Sequence, residues 1–155
     1  KKQTISFRKY PNPGKDDIRV FVDSNFSPET ELQQWTPEDW RPNPDIDVKT
    51  ENATNFCNSL NGLWQLLGRK MSTTIRDSQE RFSLLYLPNP FIVPGGRFRE
   101  TYYWDSFWII RGLLVCGMAE TARGMTDNPC SMATRLGYGP NGSRLDCTTA
   151  QRPPL

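Results

Sequence analysis

The stretch from residue 94 to residue 105, Pro-Gly-Gly-Arg-Phe-Arg-Glu-Thr-Tyr-Tyr-Trp-Asp, contains the side chains best suited to chemistry. After the Pro-Gly-Gly turn, two arginines, two acidic residues and four aromatic residues lie between Arg97 and Asp105. Glycine lets the backbone turn sharply and approach another group closely. Charged groups hydrogen-bond hydroxyls and aromatic rings cover apolar C–H faces, so the pattern favours a sugar-like ligand. The same residues also fit a turn with an exposed ion pair that leads into a core helix.

Composition narrows the chemistry further. The chain has 155 residues, a formal charge of +2 and no histidine, which argues against Ser-His or Cys-His nucleophiles and most zinc sites. Carboxylates remain for chemistry near neutral pH, as in glycoside hydrolysis. The small charge gives no reason to expect a nucleic-acid partner. The four cysteines form no C-x-x-C pair, so neither a metal site nor a disulfide framework is expected, and a single disulfide is left open.

The stretch Pro94–Ser106 closely resembles the first sequence motif of the trehalases, glycosidases that split α,α-trehalose into two glucose molecules. Phe107 stands where that family usually has tyrosine. Further segments resemble trehalases in the family's order, and the chain looks most like the animal members. These segments are Trp35–Trp40, Leu63–Lys70, Pro88–Pro90, Met118–Thr121 and Gly137–Gly142.

The resemblance implies roles for five side chains of the motif. Arg97 is expected to contact substrate hydroxyls through its planar guanidinium, although an ion pair with Glu100 or Asp105 is the structural alternative. Trp104 and Asp105 are expected to line the sugar subsite, and Asp105 also suits a helix N-cap. Phe98 is expected to help shape the pocket, as is Tyr102.

Asn141 matches the family's substrate-binding Pro-Asn-Gly, with an ordinary Asn-Gly turn as the alternative. Beyond it the sequence departs from the family. Asp146 and Cys147 occupy two places that usually hold tyrosine, and residues 150–152 read Ala-Gln-Arg where trehalases read Arg-Ser-Gln. The binding roles of that arginine and glutamine are therefore not transferred to this chain.

No catalytic residue is assigned within this chain. The resemblance implies an inverting mechanism with an aspartic acid and a glutamate base, both expected downstream of residue 155, and no metal or cofactor. The expected function is trehalose hydrolysis, with this chain supplying part of the sugar-binding site. The alternatives are a truncated non-catalytic trehalase-like protein or weak sugar-binding module, and another glucosidase on a related barrel.

Apolar spacing predicts the elements that position these residues. Helices are expected over Asp16–Phe26, over Ala53–Lys70 with Asn52 as N-cap, and from Asp105 or Ser106 to about Thr126. The last of these should bury a stripe running from Phe107 through Leu114 to Met125. Ser72–Arg81 suggests a short helix, prolines make Phe82–Val93 extended, and Trp35 and Trp40 should pin the proline-rich segment around them.

The resemblance implies an all-α fold, namely the first helices of an incomplete (α/α)6 barrel. Residues 1–52 are expected to form a wrapping extension, and residues 53–155 the first barrel helices and sugar-binding loops.

The N-terminus lacks the apolar stretch of a signal peptide, and residues 107–119 are too short to span a bilayer. N-x-S/T sequons at Asn25, Asn52 and Asn141 weakly support secretion. The resemblance to animal trehalases implies a secreted or membrane-anchored extracellular protein, with a cytoplasmic location and the oligomeric state left open.

Overall fold

Helices make up slightly more than half of the residues that the structure describes, which confirms the expectation of a predominantly helical fold. The computed structural model describes residues 14–26 and 31–149. The altered segment 150–152 and part of the expected 1–52 extension therefore lie outside the described residues. The helices are α1 (Lys15–Asn25), α2 (Glu51–Leu67), α3 (Thr73–Asp77), α4 (Tyr103–Val115) and α5 (Ala119–Leu136), with 3-10 turns at Gln79–Arg81 and Leu145–Thr149.

A small antiparallel sheet departs from the all-α expectation. It consists of β1 (Leu32–Gln34), β2 (Gly68–Met71) and β3 (Phe91–Ile92), in the order β1-β2-β3. Gly68 explains why α2 ends before Lys70. A β-carbon at Gly68 would lie 2.0 Å from the Trp35 carbonyl oxygen, so only glycine allows the chain to leave α2 and pair closely beside Trp35.

The helix boundaries correct the predicted caps. Thr50, not Asn52, caps α2, and its hydroxyl oxygen accepts a hydrogen bond from the Ala53 N–H at 3.3 Å. Helix α4 begins at Tyr103, so Asp105 and Ser106 lie inside its first turn and neither is the N-cap. The single helix expected to reach Thr126 is instead two helices.

The break between α4 and α5 falls at Gly117, whose φ of 74° lies in the left-handed region that favours glycine. Helix α5 then continues through Pro129 to Leu136. Proline has no N–H to donate to the carbonyl four residues earlier, so this helix forgoes one internal hydrogen bond.

The core lies between α4, α5 and the sheet. The predicted stripe is confirmed for Leu113, Met118 and Met125, which are buried, but it is wrong for Phe107 and Leu114, which are 41% and 56% exposed. Helix α4 is apolar around most of its circumference, so spacing alone could not indicate which side would be buried. The buried hydrophobic residues are Met71, Ile75, Leu84, Leu85, Leu87, Phe91, Ile92, Val93, Leu113, Met118, Ala122, Met125 and Met132.

Polar contacts attach the proline-rich segment to the helices, as expected for Trp40. The Trp40 indole N–H donates to the Asn61 carbonyl at 2.9 Å, and the Asn61 amide donates to the Arg41 carbonyl at 2.7 Å. Asp39 accepts hydrogen bonds from the Thr121 N–H at 2.9 Å and the Thr121 hydroxyl at 2.5 Å, which secures the start of α5. Within the described ranges, no helix combines the length and apolar character needed to cross a membrane.

Candidate functional site

The Pro-Gly-Gly turn forms a tight loop that presents Arg97. Gly95 and Gly96 have φ angles of 106° and 57°. Residues that carry a side chain rarely adopt such positive φ values. The N–H of Gly95 donates to the Phe98 carbonyl at 3.2 Å, and the N–H of Phe98 donates back to the Gly95 carbonyl at 3.0 Å. These two reciprocal bonds close the loop around Arg97.

Arg97 itself is solvent-exposed. Its guanidinium carbon lies 4.9 Å from the centre of the Phe98 ring, and Phe98 meets Tyr102 edge-to-face at 5.9 Å between ring centres. Among residues 14–26 and 31–149, Arg97 has no carboxylate within 4.0 Å, so the alternative pairing with Glu100 or Asp105 is not observed. Its N–H donors are therefore not committed to an ion pair in that part of the chain.

A second loop brings Asn141 beside the start of α4. The Tyr103 N–H donates to the Asn141 carbonyl at 2.9 Å, and Tyr102 pairs with Gly142 in an antiparallel bridge. A β-carbon at Gly142 would lie 3.2 Å from the Thr101 carbonyl oxygen and 3.3 Å from Tyr102 Cδ1. The asparagine-glycine pair therefore permits a close backbone approach between the two loops, beyond simply making a turn.

Trp104 and Asp105 occupy the second and third residues of α4. Trp104 is 44% exposed, and its ring meets that of Trp108 edge-to-face at 5.8 Å between ring centres. A carboxylate in the first turn interacts favourably with the positive end of the helix dipole, and Asp105 occupies such a position. The structure thus groups the start of α4 with the Asn141 loop, and Arg97 is linked to this group through ring contacts.

Arg144 is a contributor to this region that the sequence reasoning missed. Its Nε donates to Glu100 Oε1 at 2.8 Å, and another guanidinium nitrogen donates to the Ser83 hydroxyl. Burial of Arg144 opposes its charge, but the hydrogen bond and attraction to Glu100 outweigh burial and raise the pKa of Arg144. Burial, followed by repulsion from Glu100, raises the pKa of Tyr102. The sequence shows Arg144 in the pattern Asn-Gly-x-Arg, but this pattern does not indicate that Arg144 pairs with Glu100.

Two clefts lie outside the four predicted residues. One of about 560 Å³ separates the segment 35–41 from α5, and an apolar groove of about 460 Å³ runs between α2 and α4. In the described part of the chain, no cluster of three or more histidine, cysteine or acidic residues could hold a metal ion. None of the four candidate sugar-binding residues lines either of these two clefts.

Comparison with known proteins gives one consistent result. The family model described as Trehalase matches residues 3–155. The chain is 42% identical to the trehalase of Apis mellifera over 97% of its own length, 42% identical to that of Homo sapiens over 91%, and 42% identical to that of Arabidopsis thaliana over 70%. It spans 25% of the length of the first two proteins and 17% of the third.

Proposed function

The chain belongs to the trehalase family, and on that premise we propose that the full-length protein containing it is an α,α-trehalase. It hydrolyses trehalose with inversion to two glucose molecules. This chain supplies part of the sugar-binding site. The observation that carries the proposal is the hydrogen bond from the Tyr103 N–H to the Asn141 carbonyl, because it holds the Asn141 loop against the start of α4.

Each candidate residue has a role that its chemistry supports. Arg97 donates paired hydrogen bonds to adjacent hydroxyls. Trp104 covers an apolar face of the sugar ring, and the Asp105 carboxylate accepts hydroxyl protons. Asn141 can both donate and accept through its amide. Four such groups provide orientation and specificity, but they do not provide the chemistry of bond cleavage.

The catalytic pair comes from the remainder of the protein. An inverting glycosidase needs one carboxylic acid to protonate the leaving oxygen, and one carboxylate to activate water on the opposite face. Neither is assigned within residues 1–155. Helices α2, α4 and α5 are the first helices of an (α/α)6 barrel, with residues 14–26 and 31–50 wrapped against it. The remaining barrel helices cover the exposed apolar sides of α2 and α4. The protein acts on trehalose outside the cell, as a secreted or membrane-anchored enzyme.

A chimera tests the proposed activity directly. Residues 3–155 replace the matching stretch of the Apis mellifera trehalase, which supplies the rest of the protein. The purified chimera should release two glucose molecules per trehalose, one of them initially as the β-anomer, as NMR can follow. The matched control is the same chimera with Arg97→Ala, which should be folded but much less active. A folded chimera that does not hydrolyse trehalose contradicts the proposed function.

A further inference from the structure

The Asn141 loop is held between two neighbouring segments. On one side Tyr102 pairs with Gly142, and on the other Leu84 pairs with Arg144. The N–H of Leu85 donates to the Ser143 carbonyl at 2.8 Å, and the N–H of Leu145 donates to the Ser83 carbonyl at 2.9 Å. The pairs are isolated bridges rather than full strands, and such short ladders specify register only weakly. A further constraint must therefore act together with the backbone hydrogen bonds to fix the position of Asn141.

Side chains supply that constraint. Extending the register of the Tyr102–Gly142 pair by two residues places Glu100 opposite Arg144, on the same face of the ladder. The guanidinium of Arg144 contacts Glu100 at 2.8 Å and also donates to Ser83. One side chain therefore connects all three segments of the ladder. Opposite charges directly across a ladder stabilise that register, and a slip of one residue would turn Arg144 to the other face.

The surroundings make this pair different from the pair formed by Arg123 and Glu120. The Arg144 and Glu100 side chains are 28% and 16% exposed, whereas those of Arg123 and Glu120 are 71% and 68% exposed. The second carboxylate oxygen of Glu100 is buried and has no hydrogen-bond partner among the described residues. Removing Arg144 would leave the carboxylate unpaired in a partly buried place, which is strongly unfavourable. An exposed pair such as Arg123–Glu120 contributes little.

We propose that Arg144 is a positioning residue which, through Glu100 and Ser83, sets Asn141 against the start of α4. The proposal rests on the proposed function, because it assumes that Asn141 binds the substrate. Arg144 does not touch the sugar. It fixes the register from which the neighbouring loop presents its amide.

The test uses the chimera with Arg144→Met, Arg144→Lys and Glu100→Gln, and with Arg123→Met as the matched control. Arg144→Met should lower kcat/KM for trehalose on the order of 100-fold, because a displacement near 1 Å can have that effect. Most of the loss should come from a higher KM, since the displaced group binds substrate. Arg144→Lys should recover part of the loss, and Arg123→Met should match the parent chimera. Combining Arg144→Met with Glu100→Gln should be no worse than the worse single change, because the two residues act as a unit.

Amide hydrogen exchange gives a readout that does not depend on activity. Arg144→Met should speed exchange at Ser143 and Leu145, while Arg123→Met should not. Unchanged exchange, or an unchanged KM and kcat per folded molecule, would overturn the positioning role. If Arg144→Met does not fold, Glu100→Gln decides the question by the same measurements. An inactive parent chimera counts against the proposed function alone, and the exchange result still decides this inference.

Discussion

Replacing Arg97 with lysine separates binding from folding at this position. The guanidinium is exposed and has no carboxylate within 4.0 Å among the described residues. Its observed contact is the stacking on Phe98, 4.9 Å from the ring centre, which is worth about 0.5–1 kcal/mol at an exposed site. Lysine keeps the positive charge and can still approach the ring. The change should therefore lower the free energy of unfolding by less than about 1 kcal/mol.

The effect on catalysis should be much larger. Lysine offers a point charge where two hydroxyls need a planar fork of donors. A hydrogen bond from a charged group contributes about 1.5–3 kcal/mol. Loss of one such bond in the transition state corresponds to a fall in kcat/KM of roughly 10- to 200-fold. The prediction is a strong loss of activity with almost no loss of stability.

Steady-state trehalose hydrolysis and thermal melting of the chimera measure both effects. Arg76→Lys is the matched control, because Arg76 is also exposed and also lies over an aromatic ring, that of Tyr86. The control should retain the kcat/KM of the parent chimera. The reasoning fails if Arg97→Lys sharply lowers the melting temperature while the molecules that remain folded keep their kcat/KM. Arg97 would then be a structural residue rather than a binding residue.

Further outcomes follow from other contacts. In the chimera, Asp39→Ala should lower the free energy of unfolding by about 1–3 kcal/mol, because it removes both hydrogen bonds to Thr121 at the start of α5; an unchanged urea midpoint would contradict this. The isolated 155-residue chain should release no glucose from trehalose, because the acid and base are expected elsewhere, and glucose release that copurifies with the chain would refute this. The same isolated chain should self-associate in light scattering, because α2 and α4 expose large apolar side chains; a monodisperse sample with one cooperative melting transition would count against it. At mildly alkaline pH, Cys147 should be alkylated more slowly than exposed Cys130, because burial raises the pKa of the Cys147 thiol and lowers its thiolate fraction; equal rates would argue against this.

The sequence was sufficient for features that depend on neighbours along the chain. The spacing of apolar residues predicted α2 and the region of α4, and Pro-Gly-Gly predicted the turn that presents Arg97. The sequence predicted the helix caps less well. Thr50 and Asn52 are equally plausible cap residues, and only the backbone geometry distinguishes them. The strands were missed because β1, β2 and β3 have two to four residues each, too few to show an alternating pattern.

Contacts between distant segments could not be predicted in this way. Asp39 and Thr121 are separated by 82 residues, and Glu100 and Arg144 by 44. Nothing local to either partner indicates the other, because each pairing depends on how the intervening helices pack. The candidate binding residues were named from the resemblance, but the pair expected to position them became apparent only from the register of the two loops.

The motif from Pro94 to Asp105 combines residues with different structural and functional roles. Gly95 and Gly96 allow the backbone to form the turn, since their positive φ angles would be strained in most other residues. Arg97 and Trp104 have exposed side chains that are not among the buried residues of the described core. Glu100 belongs to neither group, because it is partly buried and paired across the ladder. A substitution at each kind of position should therefore impair the enzyme in a different way. Substitutions at the glycines should cause misfolding, those at Arg97 should weaken substrate binding, and those at Glu100 should shift the neighbouring loop. Measuring KM, kcat and stability together distinguishes these three failures, which a loss of activity alone cannot do.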